Sequence, residues 1–305
     1  MRLLITGATG FTGRHLAEYC RRVLQNAEIH GTYLSRDPPE IPGIHHHRCD
    51  LRDMEETRDL IEGIHPDTAI HLAGLTHGSL FDLLSANAVG TDHLLSAIEQ
   101  VNPECRVLVI SSSAIYGYAG DDPITEDRTP APLSAYGVSK LAQEAVALLH
   151  HRKSGVWVCI ARPFNLIGPG LPEQFVFGKI ISRVSEIQSG ESVTIDLVGV
   201  DSRRDFVDVR DAVRAYADIV FHPRFGEVCA GEIFNVGSGR ATPVSDLIGS
   251  AESVCGLTLP LSLHPSPPPD PIPSQKADIS RIASVAGWRP EISLDQSVKD
   301  ALDGG

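Results

Sequence analysis

The stretch Leu3-Leu4-Ile5-Thr6-Gly7-Ala8-Thr9-Gly10-Phe11-Thr12-Gly13 runs a short apolar segment straight into a glycine triplet and then into helical periodicity. Residues 3–6 read as a buried strand and 12–24 as the helix that follows. The GxxGxxG spacing sets glycine where a side chain would keep an anion off the backbone. The helix N-terminus behind it offers free N–H groups and the positive end of the helix dipole. Glycine triplets also mark plain turns. Placed between a buried strand and a helix, this one points to the pyrophosphate of a dinucleotide. Gly7, Thr9, Gly10, Phe11, Thr12 and Gly13 are the candidate cofactor contacts.

Working outward, further apolar runs lie at 29–34, 68–72, 107–110 and 156–161, with helical patterns at 54–64, 81–101 and 136–151. Near-continuous apolar strands alternating with helices predict an α/β fold, a Rossmann-type doubly wound parallel sheet covered on both faces. The pattern changes after Pro163. A Gly/Pro loop at 168–172 leads to a helix over 173–188, a strand over 193–197, a helix over 209–221, a strand over 233–236 and a helix over 244–255. Six prolines between 265 and 273 require an extended loop, and two short helices close the chain. The expected organisation is a dinucleotide-binding domain over 1–162, with strands returning from about 205–240, and mainly a smaller substrate-binding lobe over 163–305.

Lys plus Arg number 26 against 39 Asp plus Glu, a net charge of −13, which argues against an extended nucleic-acid surface. The six cysteines are scattered with no CxxC, as expected of reduced thiols in a cytoplasmic protein. The chain enters a strand-like run at once, so no signal peptide is expected, and no apolar run is long enough to span a membrane.

A carboxylate ending the second strand would bind the ribose 2′-hydroxyl of NAD, and none stands there. Thr32, Ser35 and Arg36 are placed instead to cradle a 2′-phosphate, so NADP(H) is favoured and NAD(H) possible. Asp50 and Leu51 follow the third strand, where an acid reaches the adenine; Asp50 could equally cap the next helix. His45-His46-His47 point alternately to opposite faces of an extended segment and cannot converge on one ion, so no metal site is expected and a strand entrance is.

Tyr136 and Lys140 sit four apart on a helix and share one face. An ammonium beside a phenol stabilises phenolate, so the tyrosine pKa is expected to fall. Such a pair suits protonation of a carbonyl as hydride arrives, or the reverse. Ser111-Ser112-Ser113 end the fifth strand, at the edge that faces the ligand crevice of a parallel sheet.

With these in place the chain resembles the extended short-chain dehydrogenase/reductases that act on nucleotide-diphosphate sugars. The resemblance rests on residues 6–13, His71-Leu72-Ala73-Gly74, 111–117, Tyr136-Gly137-Val138-Ser139-Lys140 and 162–170, and then on 203–211, 235–239 and 287–290. It implies that Ser112 hydrogen-bonds the reacting oxygen, Tyr136 is the acid/base, and Lys140 binds the nicotinamide ribose. Leu72, Ala73, Gly74 and Pro163 become further cofactor contacts. It also implies a homodimer through the helices near 81–101 and 135–152. Dehydratases of the family carry an acid two positions after the catalytic hydroxyl, where this chain has Ala114. A methyl group is no base, so dehydration is not expected. The wording of 162–170, 203–211, 238–241 and 287–292 is most similar to the GDP-4-keto-6-deoxy-D-mannose reductases, implying reduction of a 4-keto sugar. A 4-epimerase with tightly bound NAD, and a non-catalytic sensor of the cofactor, are the alternatives. Ser112, Ser113, Asn165, Lys179 and Arg204 are the implied contacts to the nucleotide-diphosphate sugar. The Arg-Pro pair usual in such reductases is missing from 267–273.

Overall fold

Seven parallel strands form the central sheet: β1 (Arg2–Thr6), β2 (Glu28–Tyr33), β3 (Ile44–Arg48), β4 (Thr68–His71), β5 (Arg106–Ile110), β6 (Val158–Pro163) and the strand Ile233–Val236. The computed structural model describes residues 1–35, 42–191, 193–197, 199–263 and 270–304. The strand order is Ile233–Val236, then β6-β5-β4-β1-β2-β3. The order reverses at β1 and β4, so the crevice outside their carboxyl ends is the topological switch point at which doubly wound sheets bind ligands.

Helix α1 (Phe11–Val23) follows the glycine loop, and α2 (Met54–Ile64) leads from β3 to β4. The helix expected over 81–101 is three pieces: α3 (Leu80–Leu84), a π turn over Ser85–Val89, and α4 (Gly90–Val101). Helix α5 (Ala135–Ser154) starts at Ser134, whose side chain accepts the Gly137 N–H, and stops at the left-handed Gly155. One apolar layer joins α1 and the later helix over Val209–Val220 to the sheet through Leu3, Ile5, Leu108 and Ile110. The alternate residues Leu4, Val107 and Val109 face the second layer, with Leu94, Ile98 and Ala147.

A third apolar cluster belongs to the C-terminal part. It packs the helices Val176–Gln188, Val244–Cys255 and Leu294–Asp303 around Phe177, Ile180, Ile195 and Leu247. Sequence periodicity put the first of these helices at 173, but a turn in which Phe175 N–H donates to Pro172 O delays it to Val176. His45, His46 and His47 lie inside β3 rather than at its entrance. There, Nδ1 of His30 on the neighbouring strand meets Nε2 of His47 at 2.9 Å. Among the described residues no group of three or more His, Cys, Asp or Glu could hold a metal, and no helix is long and apolar enough to cross a membrane.

Candidate active site

The glycine loop is shaped by two close approaches. Gly7 has φ +69°, and a Cβ on Gly13 would stand 2.2 Å from Gly7 O, so α1 can close onto the loop only without side chains there. Gly10 occupies the N-cap position without a side-chain capping bond, leaving the first-turn N–H groups of α1 to an anion. The cradle fits a dinucleotide pyrophosphate. Thr32 braces it: its Oγ1 accepts Gly7 N–H at 3.0 Å and its carbonyl accepts Ala8 N–H at 2.9 Å. That corrects the expectation for Thr32, which is buried and engaged with the loop rather than offered to a 2′-phosphate. Ser35 is exposed, and Arg36 lies outside the described residues.

Asp50 follows β3 with its carboxylate held by Arg52, at 2.6 Å to Nη2 and 2.9 Å to Nε. This bond to Arg52 is the main reason the Asp50 carboxyl titrates below its ordinary range. The cap of α2 is Asp53, which accepts Glu55 N–H and Glu56 N–H, so capping falls to Asp53 rather than Asp50. Leu51 is buried with its carbonyl 3.0 Å from His93 Nδ1. After β4, Ala73 N–H donates to Thr6 Oγ1 at 3.1 Å, which fixes Leu72, Ala73 and Gly74 beside the loop.

At the end of β5 the chain turns through Ser113–Ile115, and Ser112 caps that turn, its Oγ accepting Ala114 N–H at 3.1 Å. The same hydroxyl faces the Tyr136 phenol closely enough to pull its pKa down. Lys140 lies 6.0 Å from the Tyr136 ring centre. The phenol nevertheless titrates above its ordinary value, because desolvation outweighs the opposing pull of the Ser112 hydroxyl. This corrects the expected fall. The Lys140 ammonium is turned into the protein, donating to Ile110 O and to Gln143 Oε1, both at 2.7 Å. Burial pulls Lys140 itself down to about 8, against the opposing pull of Glu144. Ser113 is buried and pinned by Gln275, donating to its Oε1 at 3.3 Å while accepting its Nε2–H on the backbone carbonyl at 3.2 Å. Ser111 Oγ is buried with no partner among the described residues.

The remaining candidates lie in the C-terminal part. Asn165 pairs through its backbone N–H with Asp205 O at 2.9 Å. Arg204 donates to Asp270 Oδ2 at 2.7 Å and to Ile272 O at 2.6 Å. Lys179 Nζ donates to Asp196 O at 2.6 Å. Pro163 ends β6 beside Val236.

Several residues escaped the sequence reading. Asp205 is fully buried and gathers the N–H groups of Ser238, Gly239 and Ala277, tying the Arg203-Arg204-Asp205 segment to two distant ones. Arg162 grips Glu144 through Nε at 2.9 Å and Nη2 at 2.7 Å, and Tyr116 Oη through Nη1 at 2.8 Å. Glu144 follows Lys140 by four residues, a helical spacing that could have flagged it. Gln143, three residues after Lys140 on the same helix, offered the same signal, whereas Asn87 and Thr91 offered none.

Comparison with known proteins places this arrangement. The sequence model of a family described as "NAD dependent epimerase/dehydratase family" matches residues 3–237. The chain is 32% identical to a GDP-6-deoxy-D-mannose reductase of Pseudomonas aeruginosa, over 99% of this chain and 96% of that one. It is 27% identical to a UDP-glucose 4-epimerase of Neisseria gonorrhoeae, over 99% and 96%. It superposes on the structure of RMD from Pseudomonas aeruginosa complexed with NADPH with a TM-score of 0.85 and 30% identity, covering 99% of this chain and 98% of that one.

Proposed function

The chain belongs to the NAD-dependent epimerase/dehydratase family of extended short-chain dehydrogenase/reductases, and from that premise we propose that it reduces the 4-keto group of a nucleotide-diphospho-6-deoxy-hexose. GDP-4-keto-6-deoxy-D-mannose is the favoured substrate and GDP-D-rhamnose or its epimer the product. The observation that carries the reading is Lys140 Nζ 6.0 Å from the Tyr136 ring centre on one helix face, with Ser112 at the turn after β5 and Ala114 where a dehydratase needs a base.

The reduced nicotinamide would supply the hydride. The loop over Gly7–Gly13 would hold its pyrophosphate, and Lys140, Leu72, Ala73, Gly74 and Pro163 the nicotinamide half. Ser112 orients the ketone oxygen, and Tyr136 gives it a proton as negative charge develops there. A raised phenol pKa keeps that proton in place at neutral pH. Arg204 is the candidate cation for the sugar's diphosphate, since a planar guanidinium matches phosphate oxygens, with Asn165, Ser113 and Lys179 as further contacts. NADP(H) is favoured over NAD(H) on the missing carboxylate at the end of β2. A homodimer through the helices near 81–101 and 135–152 is supported by family resemblance, and a cytoplasmic setting by six scattered cysteines with no CxxC.

The second reading is an NDP-hexose 4-epimerase, which shares Ser112, Tyr136 and Lys140, as the resemblance to the Neisseria epimerase suggests. The purified protein is to be given GDP-4-keto-6-deoxymannose with NADPH and with NADH, and the product identified. Consumption of NADPH with formation of a 6-deoxy-hexose is the expected result. Nicotinamide that stays bound through purification, with no consumption of added NADPH, would sink the reductase reading and favour the epimerase.

A further inference from the structure

A line of polar side chains runs beneath the crevice from β1 to Lys140, and every member is at least nine-tenths buried: Thr6, His71, Thr91, Gln143 and Lys140. An ammonium only donates, so Gln143 must turn its carbonyl to Lys140, at 2.7 Å. Its amide nitrogen then donates to Thr91 Oγ1 at 2.9 Å. The Thr91 hydroxyl spends its own proton on Asn87 O at 2.6 Å, so His71 Nε2, 2.8 Å from Thr91, must be a donor. Nδ1 of His71 is left to accept the Thr6 hydroxyl at 2.7 Å. Each bond in the line allows one orientation only.

We propose that Gln143 is a positioning residue for Lys140: its carbonyl, fixed by Thr91 and His71 behind it, holds the ammonium charged and in place to bind the nicotinamide cofactor. The proposal rests on the role assigned to Lys140 above. Packing alone does not ask for glutamine here, since methionine fills a similar volume without a buried amide to satisfy. Both ends of this amide are used, one on Lys140 and one on Thr91. Without the carbonyl, Ile110 O is the single acceptor left to the ammonium among the described residues, and its neutral form gains ground. A carboxylate in the same place does the opposite. The line also holds a neutral imidazole next to the charge: burial and then Lys140 push His71 down to about 3.

The test is NADPH affinity of the full chain, followed by fluorescence titration from pH 6 to 10. Affinity of the unaltered protein is expected to fall above about pH 8, as Lys140 discharges. Gln143→Glu moves that fall upward by about one pH unit and Gln143→Met downward by about as much, a change of roughly tenfold at a pH on the slope. Thr91→Val moves it in the same direction as Gln143→Met, by less, and Thr91→Ser restores it; this pair carries the test if the Gln143 variants fail to fold. Profiles that coincide across the variants, or an affinity loss equal at every pH, overturn the proposal. A Lys140→Met variant that binds NADPH as the unaltered protein does removes the parent reading and this proposal with it. If Lys140→Met loses affinity but the Gln143 and Thr91 profiles stay put, only the proposal falls.

Discussion

At Tyr136, burial opposes what the neighbouring ammonium was expected to do. The pairing of Tyr136 with Lys140 was legible because helical spacing alone puts them on one face, whereas the strand end marks Ser111, Ser112 and Ser113 alike and only the family resemblance singles out Ser112. The sign of the tyrosine shift was not legible, because it depends on how much water the folded chain excludes and on where the ammonium turns. Tyr136→Phe keeps the ring and removes the proton, so turnover of the keto sugar should fall roughly 10²–10⁴-fold with the melting temperature little changed; steady-state rates and a thermal melt check both. His71 belongs at this scale too. Its folded pKa is about 3, below the ordinary imidazole value of 6.5. The folded form is therefore penalised only where the unfolded chain takes up a proton that it cannot. Stability is full above pH about 6.5 and is lost as pH falls toward 3, at up to about 1.4 kcal/mol per unit. His30, His46 and His47 are depressed in the same direction by burial and add to the loss. Urea midpoints between pH 7 and 5 should fall less steeply in His71→Gln than in the unaltered protein.

Among the elements, the glycine loop was readable because its constraint is local: strand, three spaced glycines, helix. Gly13→Ala would put a methyl carbon 2.2 Å from Gly7 O, so α1 must back away from the loop. The expected outcome is a loss of cofactor affinity of at least tenfold, while the sheet and its thermal transition persist; a fluorescence titration with NADPH against a melting curve separates the two. The π turn over Ser85–Val89 was not readable. Its apolar spacing continues that of α4, and the reason for the extra residue lies elsewhere in the chain. It carries Asn87 inward, to accept Leu75 N–H at 2.8 Å and to donate to Leu75 O and Ser139 Oγ, each at 2.9 Å. Those partners stand 12 and 52 positions away, beyond any periodicity a helix displays. The start of α5 is the opposite case, since Ser134 three residues before Gly137 is a capping signal within one turn.

Across the whole molecule, several of the segments that made the family recognisable meet in one buried knot rather than at the reacting atoms. Arg162 on β6 holds Glu144 on α5 and Tyr116 after β5, and Tyr116 Oη donates to Asn235 Oδ1 at 2.7 Å. Asn235 in turn donates its backbone N–H to Glu126 Oε1 at 2.8 Å and its side-chain amide to Ile124 O at 2.7 Å. The motifs were legible as motifs because each is a short string. That they interlock was hidden, because β6 and the strand Ile233–Val236 become neighbours only through the sheet order. The knot joins two strands of the central sheet to α5 and to the stretch 116–126 that follows β5, so its failure should be global. Arg162 and Glu144 are almost completely buried, with side chains 4% and 3% exposed. At that depth each charge depends on the other, and removing one strands its partner in a medium that cannot solvate it. Glu144→Leu alone is expected to cost about 3–5 kcal/mol. Arg162→Met with Glu144→Leu should recover much of that, because no charge is then left unpaired, though Tyr116 and the Glu126 carbonyl still lose a donor. Urea unfolding of the two singles and the double closes the cycle. A double variant no more stable than the worse single would mean that Arg162 acts mainly through Tyr116 and Glu126, and that the ion pair with Glu144 is incidental to the fold.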